Sequence, residues 1–251
     1  MRGDLRMVIV ADEQLKSKMM RDGSHLKQIR SMTGGISSGL IAGGASLGGM
    51  MLLLAVMMIM IKDTHAAIVS GVAGVVMGAI FMGPGYALKN KRINGYLKYY
   101  RDKSGYTEEA LKGFDAEFAQ GEVVIISNKN KLDQRATSEA GVFTKNWFKF
   151  PFMLSIHYSG LYHVEDIVAI WYQKEFVRVG GLELRDVLMA VDCHGKCVHC
   201  NYNKALTSEV IMEIAKRNPK VITSRHFAYD GVEYDALLQA EQVATLYKTI
   251  A

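Results

Sequence analysis

The stretch DCHGKCVHC, Asp192 to Cys200, holds all three cysteines of the chain and two of its seven histidines. Cys197 and Cys200 stand in a C-x-x-C spacing, with His199 between them and His194 just before. Thiolates and imidazoles spaced in this way ligate zinc or carry thiol redox chemistry. A β-hairpin with cysteines near its tip uses the same residues without any chemistry. The stretch lacks the second C-x-x-C of a zinc ribbon, and Asn201 follows Cys200 where haem attachment requires histidine. An odd number of cysteines leaves at least one unpaired, which fits a reducing compartment.

Strand register decides between these readings. His194-Gly195 reads as a two-residue turn, with Gly195 supplying the positive φ. Asp192 then pairs with Cys197, Val191 with Val198 and Met189 with Cys200. One face carries Val187, Met189, Val191, Cys193, Val198, Cys200 and Tyr202 and is expected to be core. The other carries Asp186, Asp192, Cys197, His199 and Asn201 and is expected to face solvent. Cys193 and Cys200 share the inner face but stand ~13 Å apart at ~3.3 Å per residue. That gap exceeds both a tetrahedral zinc site and a disulfide. This register implies two buried cysteines, one exposed cysteine, and neither metal nor cofactor. A looser turn would instead gather Cys197, His199 and His194, with Cys200 as a further ligand.

The hairpin lies in the polar part of a chain that composition divides sharply. The average is unremarkable, with 49% hydrophobic and 22% charged residues. Yet residues 33–61 and 66–88 contain no charged side chain. Each run exceeds the ~20 apolar residues needed to cross a ~30 Å hydrocarbon core. Only Lys62, Asp63, Thr64 and His65 separate them, so an antiparallel pair of membrane-spanning helices is expected. The first run begins too late and extends too far for a secretory signal.

Charge gives the orientation. Arg2, Arg6, Lys16, Lys18, Arg21, Lys27 and Arg30 precede the first run. Lys89, Lys91, Arg92, Lys98, Arg101 and Lys103 follow the second. Positive flanks remain cytoplasmic, which predicts a two-pass protein of the cell membrane with both termini inside. Lys27, Arg30, Lys89, Lys91 and Arg92 are placed to meet anionic headgroups. The net charge of +5 is then explained by the bilayer rather than by nucleic acid. Gly35, Gly39 and Gly43 form one row at helical spacing, Gly44 and Gly48 a second, and Ser70, Gly74 and Gly78 a third. Such rows allow close helix packing, within the hairpin or against a second copy or another membrane protein. No Asp, Glu, Lys, Arg or His lies inside either span, which argues against ion or proton translocation.

The expected organisation is an amphipathic cytoplasmic segment over 1–32, the hairpin over 33–88, a basic juxtamembrane stretch and linker helix over 89–120, and a cytoplasmic α+β domain over 121–251. Thr107 caps the linker helix, whose apolar positions are Leu111, Phe114 and Phe118. Seven strands are expected at 122–127, 141–150, 152–159, 166–173, 175–180, 183–192 and 196–202. A helix over 208–218, capped by Ser208, follows them, and a last helix is expected over 235–249. FTKNWFKF, YHVEDIVAIWY, LMAVDCHGKCVHC and EVIMEIAKRNP occur in that order. Over roughly 120–225 the chain thereby resembles the pleckstrin-homology-like domains of bacterial membrane proteins. The resemblance implies a seven-stranded barrel or sandwich closed by a helix, with a binding or scaffolding role.

There is no G-x-S-x-G, P-loop, H-E-x-x-H or G-x-G-x-x-G motif. The expected function is a non-enzymatic, membrane-tethered interaction or regulatory module that recruits a protein or lipid. The alternatives are an accessory subunit of a transporter complex and a cysteine/histidine metal or redox sensor.

Overall fold

The computed structural model describes residues 7–32, 34–127, 139–151, 160–178 and 182–250. The chain divides into two compact units, one of residues 26–96 and one of residues 1–25 with 97–251.

The first unit is dominated by two helices long and apolar enough to cross a membrane, α3 (Gly35–Met60) and α4 (Thr64–Asn94). Lys62 ends α3 with a left-handed backbone, φ +64°. The Asp63 amide returns to the Met58 carbonyl at 2.9 Å, and the Asp63 carboxylate caps α4 by accepting from the Ala66 amide at 3.0 Å. These contacts satisfy terminal groups that a helix leaves open. Pro84 lies inside α4.

The second unit is α+β. Its five-stranded antiparallel sheet runs β1 (Met7–Val10), β2 (Val124–Ser127), β3 (Gly141–Phe143), β4 (Trp147–Lys149), β5 (Leu161–His163). A three-stranded sheet follows from β6 (Ile167–Arg178), β7 (Leu182–Asp192) and β8 (Cys197–Asn201). Helix α7 (Lys204–Arg217) packs with both. Phe143, Phe148, Phe150 and Tyr162 from the first sheet meet Ile170, Leu188, Ala190 and Cys200 from the second and Leu206, Val210 and Ile214 from α7. A separate hairpin, β9 (His226–Tyr229) and β10 (Val232–Asp235), turns at Asp230-Gly231, where both residues have positive φ. This is the turn that a two-residue hairpin demands. Helix α8 (Ala240–Ile250) ends the chain.

Several sequence expectations change. Among the described residues the strands form three separate sheets and no closed barrel. The strand expected over 141–150 is a hairpin, because Glu117 captures its midpoint. The Glu117 carboxylate accepts from Thr144 Oγ1 at 2.8 Å and from the Asn146 amide at 2.9 Å. The strands expected at 166–173 and 175–180 are continuous as β6. The strand expected over 152–159 lies outside the described residues. Helix α7 starts before Ser208, since Asn203 already caps it by accepting from the Leu206 amide at 2.9 Å. Thr107 does cap α6 (Glu108–Gln120), accepting from the Ala110 amide at 3.2 Å.

The N-terminal segment holds short helices, α1 (Glu13–Met19) and α2 (His25–Met32), but it also supplies β1, which pairs with β2 in register from Met7↔Ser127 to Val10↔Val124. Residues 7–25 are therefore part of the α+β unit. Asp115 on α6 holds them there. Its carboxylate accepts from Ser24 Oγ at 2.5 Å and from the His25 amide at 2.9 Å, with all three residues buried. Helix α5 (Tyr96–Ser104) leads into α6.

Asp115→Ala leaves two buried donors without this acceptor. A loss of about 2–3 kcal/mol is expected in denaturant unfolding of the full chain in detergent, against about 1 kcal/mol for loss of the exposed cap in Thr107→Ala.

Candidate functional site

The cysteine hairpin adopts a register one residue away from the expected one. Val191 pairs with Cys197, Ala190 with Val198, Met189 with His199 and Leu188 with Cys200. The turn explains the shift. Asp192 pairs with Lys196 across a three-residue loop, Cys193-His194-Gly195. Asp192 Oδ1 accepts from the His194 and Lys196 amides, both at 2.9 Å, and Gly195 takes φ +77°. An aspartate that binds the backbone ahead of it favours this longer turn over a two-residue one.

Both faces of the hairpin are covered. Leu188, Ala190, Val198, Cys200 and Tyr202 enter the core shared by the two sheets. Val187, Met189 and Val191 pack with Trp171 and Ala236, and Cys197 packs against them. Cys197 is thus not on a solvent face. Cys193 leaves the strand face entirely and packs in the turn beside Val168, Val243 and Tyr247. Cys197 and Cys200 point to opposite sides of the sheet, and His194 is exposed. Among the described residues no group of three or more His, Cys, Asp or Glu side chains is placed to hold a metal. Burial, then the nearby Asp166, pushes the Cys193 thiol up to about 11. Burial raises Cys197 and Cys200 as well. Thiols kept protonated are poor nucleophiles and poor ligands at neutral pH.

A buried amine went unnoticed in the sequence. Lys149 is only 2% exposed, in register with Val142 on one neighbouring strand and Leu161 on the other. Burial pulls it down to about 7. His25 is also fully buried; its Nδ1 donates to the Met19 carbonyl at 2.8 Å and its ring stacks on Phe118 at 4.4 Å. Burial, then the Lys149 charge, takes it to about 3. A sequence signal existed: FKF places one lysine between residues of the opposite face, so its own face had to be either solvent or core.

On the α+β unit, a cavity of about 490 Å³ opens beside β9 and β10, lined by His226, Phe227, Glu233, Tyr234, Asp235 and Gln239. Asp235 is held by a bidentate pair with Arg225, at 3.0 and 2.8 Å, which keeps its carboxyl near 2. Tyr229, Val232 and Leu238, the last 78% exposed, stand on the same segment.

In the helix pair, the glycine rows separate. Gly44, Gly48 and Gly74 are buried. A Cβ on Gly48 would stand 3.0 Å from the Gly74 carbonyl, and one on Gly74 3.1 Å from the Gly48 carbonyl. A Cβ on Gly78 would lie 3.8 Å from the Gly44 carbonyl, and Ser70 is half-buried. Gly35, Gly39 and Gly43 are exposed, with nothing within 4 Å of where a side chain would begin. Large apolar side chains point outward, among them Leu53 at 67% and Val75 at 64% exposure. Of the basic residues, Lys91 is exposed, whereas Lys27, Arg30, Lys89 and Arg92 are half-buried.

No protein-family model, curated protein or solved structure matches the chain.

Two outcomes follow from this geometry. Gly48→Leu must push two backbones apart and lowers stability by about 1–3 kcal/mol, while Gly39→Leu changes it little; thermal unfolding in detergent distinguishes them. For Lys149, the unfolded chain binds a proton below 10.5 and the folded chain only below about 7. Stability therefore rises with pH across that window, by at most about 1.4 kcal/mol per unit. Lys149→Met removes this slope, so the variant gains most over the parent near pH 7 and least near pH 10, as read by urea unfolding.

Proposed function

We propose that the chain is a two-pass protein of the cell membrane, with both termini in the cytoplasm, whose α+β unit is a non-enzymatic interaction or regulatory module. The observation that carries this reading is the inverted helix pair. A core helix of a soluble protein turns its large apolar side chains inward. Here glycine fills the seam while leucine, valine, isoleucine and methionine cover the outside. Water would penalise that surface at ~25 cal/mol per Å², and lipid would not. Orientation follows from the basic flanks.

The α+β unit is read as pleckstrin-homology-like. Two antiparallel sheets and α7 sharing one core support that reading. Its binding surface is the β9–β10 segment, where a cavity of ligand-binding size adjoins exposed Tyr229, Val232 and Leu238. The occupant is a protein or a lipid at the inner membrane surface. A second reading, an accessory subunit of a transporter complex, is favoured by the open row Gly35, Gly39 and Gly43, which leaves one flank of α3 able to approach another helix.

Alkaline carbonate is expected to leave the full chain in the membrane pellet. Detergent-solubilised chain is expected to bring down a partner that the double variant Val232→Asp, Leu238→Asp loses. Release into the carbonate supernatant overturns the membrane assignment. A partner retained by the variant but lost on Gly39→Leu selects the subunit reading.

A further inference from the structure

The β9–β10 ribbon has an open edge. Its ladder continues to Arg225 and Ala236, where the Ala236 amide donates to the Arg225 carbonyl at 2.8 Å, so this is a hydrogen-bonded pair. Bonded and unbonded pairs alternate along an antiparallel ladder. Phe227–Tyr234 and Tyr229–Val232 are therefore bonded pairs, whereas His226–Asp235 and Ala228–Glu233 are not. Members of an unbonded pair turn their amides and carbonyls outward. On β10 the Asp235 amide is taken by Gln239 Oε1 at 2.8 Å. The Glu233 amide and carbonyl have no hydrogen-bond partner among the described residues. The sheet has only two strands among those residues, so no third strand pairs with this edge.

The two faces beside the edge differ. Cross-strand partners share a face. His226, Ala228, Glu233 and Asp235 lie on one, and all four line the cavity of about 490 Å³. Tyr229 and Val232 lie on the other, exposed beyond the point where Phe227 and Tyr234 reach the core. Charge on the cavity face is one-sided. Arg225 is occupied by its bidentate pair with Asp235, and His226 Nδ1 lies 3.8 Å from the same carboxylate. Glu233 and, at the turn, Asp230 are exposed and have no counterion among the described residues. From Thr223 to Tyr247 the chain has four acidic residues and one arginine, in a protein of net charge +5.

An open edge accepts a strand, a cavity accepts a side chain, and an uncompensated carboxylate attracts a cation. We propose that the edge of β10 binds a basic, extended segment of a partner protein as an added strand. This rests on the reading of β9–β10 as the binding surface and names what that surface binds. The backbone of the segment pairs with the Glu233 amide and carbonyl. Its residue opposite Glu233 is lysine or arginine, whose side chain lies on the cavity face and neutralises the carboxylate. The residues on either side of it point to the other face, where apolar side chains meet Val232 and Tyr234. Leu238, exposed three residues after Asp235, adds apolar surface to the same segment. An anionic lipid headgroup has the wrong charge for this edge, since its phosphate would face Glu233 and Asp230, and it has no strand to add.

The test uses the full chain in a neutral detergent and a fluorescent octapeptide that alternates lysine and valine, with binding read by anisotropy. Glu233→Gln is expected to weaken binding by about threefold to fivefold, the size of one exposed ion pair. Glu233→Lys sets like charges opposite each other, and a loss of about tenfold or more is expected. Glu109→Lys makes the same charge change on α6 and is expected to alter binding by less than about twofold, because salt screens distant exposed charges. Glu233 and Glu109 are both exposed, so circular dichroism is expected to stay unchanged. Only alternate amides of an added strand face the edge. Methylating the lysine amides in one probe and the valine amides in another is therefore expected to abolish binding of one and spare the other. An octapeptide alternating glutamate and valine, and a short-chain phosphatidylglycerol, are the competing probes. Preference for either of these, full binding by Glu233→Lys, equal effects of the two methylated sets, or no binding of the lysine peptide overturns the proposal. A partner lost by the Val232→Asp, Leu238→Asp variant but kept by Glu233→Lys leaves the binding surface in place and overturns the basic strand alone.

Discussion

The close approach of two backbones at Gly48 and Gly74 is the constraint on which the helix pair depends. Each residue leaves only about 3 Å between an added Cβ and the opposite carbonyl. Helices this close pack by van der Waals contact along their whole seam, which needs no large side chain between them. The large side chains are consequently displaced to the outside of a pair that is long and apolar enough to cross a membrane. The same geometry brings the two ends that carry basic residues together, because an antiparallel pair joined by a short loop returns the chain to the side it left. Packing at the seam thus determines which side chains face outward and which ends of the two helices lie together.

The α+β unit is held by a different balance. Its two sheets and α7 share an aromatic and aliphatic core, but polar groups are buried within it at specific points. Asp115 is used fully, since it accepts from Ser24 and from the first amide of α2. Glu117, two residues on, ties α6 to the β3–β4 turn. Lys149 and His25 are the costly members, since burial in a low-dielectric interior favours the neutral form of each. The cysteines have become core residues. Cys197 and Cys200 lie on opposite faces of β8 and Cys193 packs in the turn, so the C-x-x-C spacing brings no two ligands together.

How much of this could be read from the residues depends on the range of the interaction involved. The apolar spans, the linker helix with its Thr107 cap, and an α+β unit rich in antiparallel strands were legible, because they rest on local periodicity and capping. The hairpin at 192–200 was recognised as a hairpin, but its register was misjudged by one residue. In a strand that single step exchanges the faces, so Cys197 was assigned to solvent when it lies against Met189 and Val191. His194-Gly195 alone does not make the turn, because the Asp192 carboxylate reaches forward to the His194 and Lys196 amides. β1 was missed because four residues before a short helix carry too little pattern to announce a strand whose partner is more than a hundred residues away.

The sequence by itself determined where the apolar segments lie, how long they are, which flanks are positive and where helices begin, since each follows from neighbours within a few turns of chain. Only the tertiary structure decided which glycines face each other, which hairpin register prevails, that Lys149 is enclosed, and that Arg92 lies over Gly34. These depend on the packing of segments far apart in the chain, where a shift of one residue or a fraction of a turn reverses what is buried, and no local pattern encodes that choice.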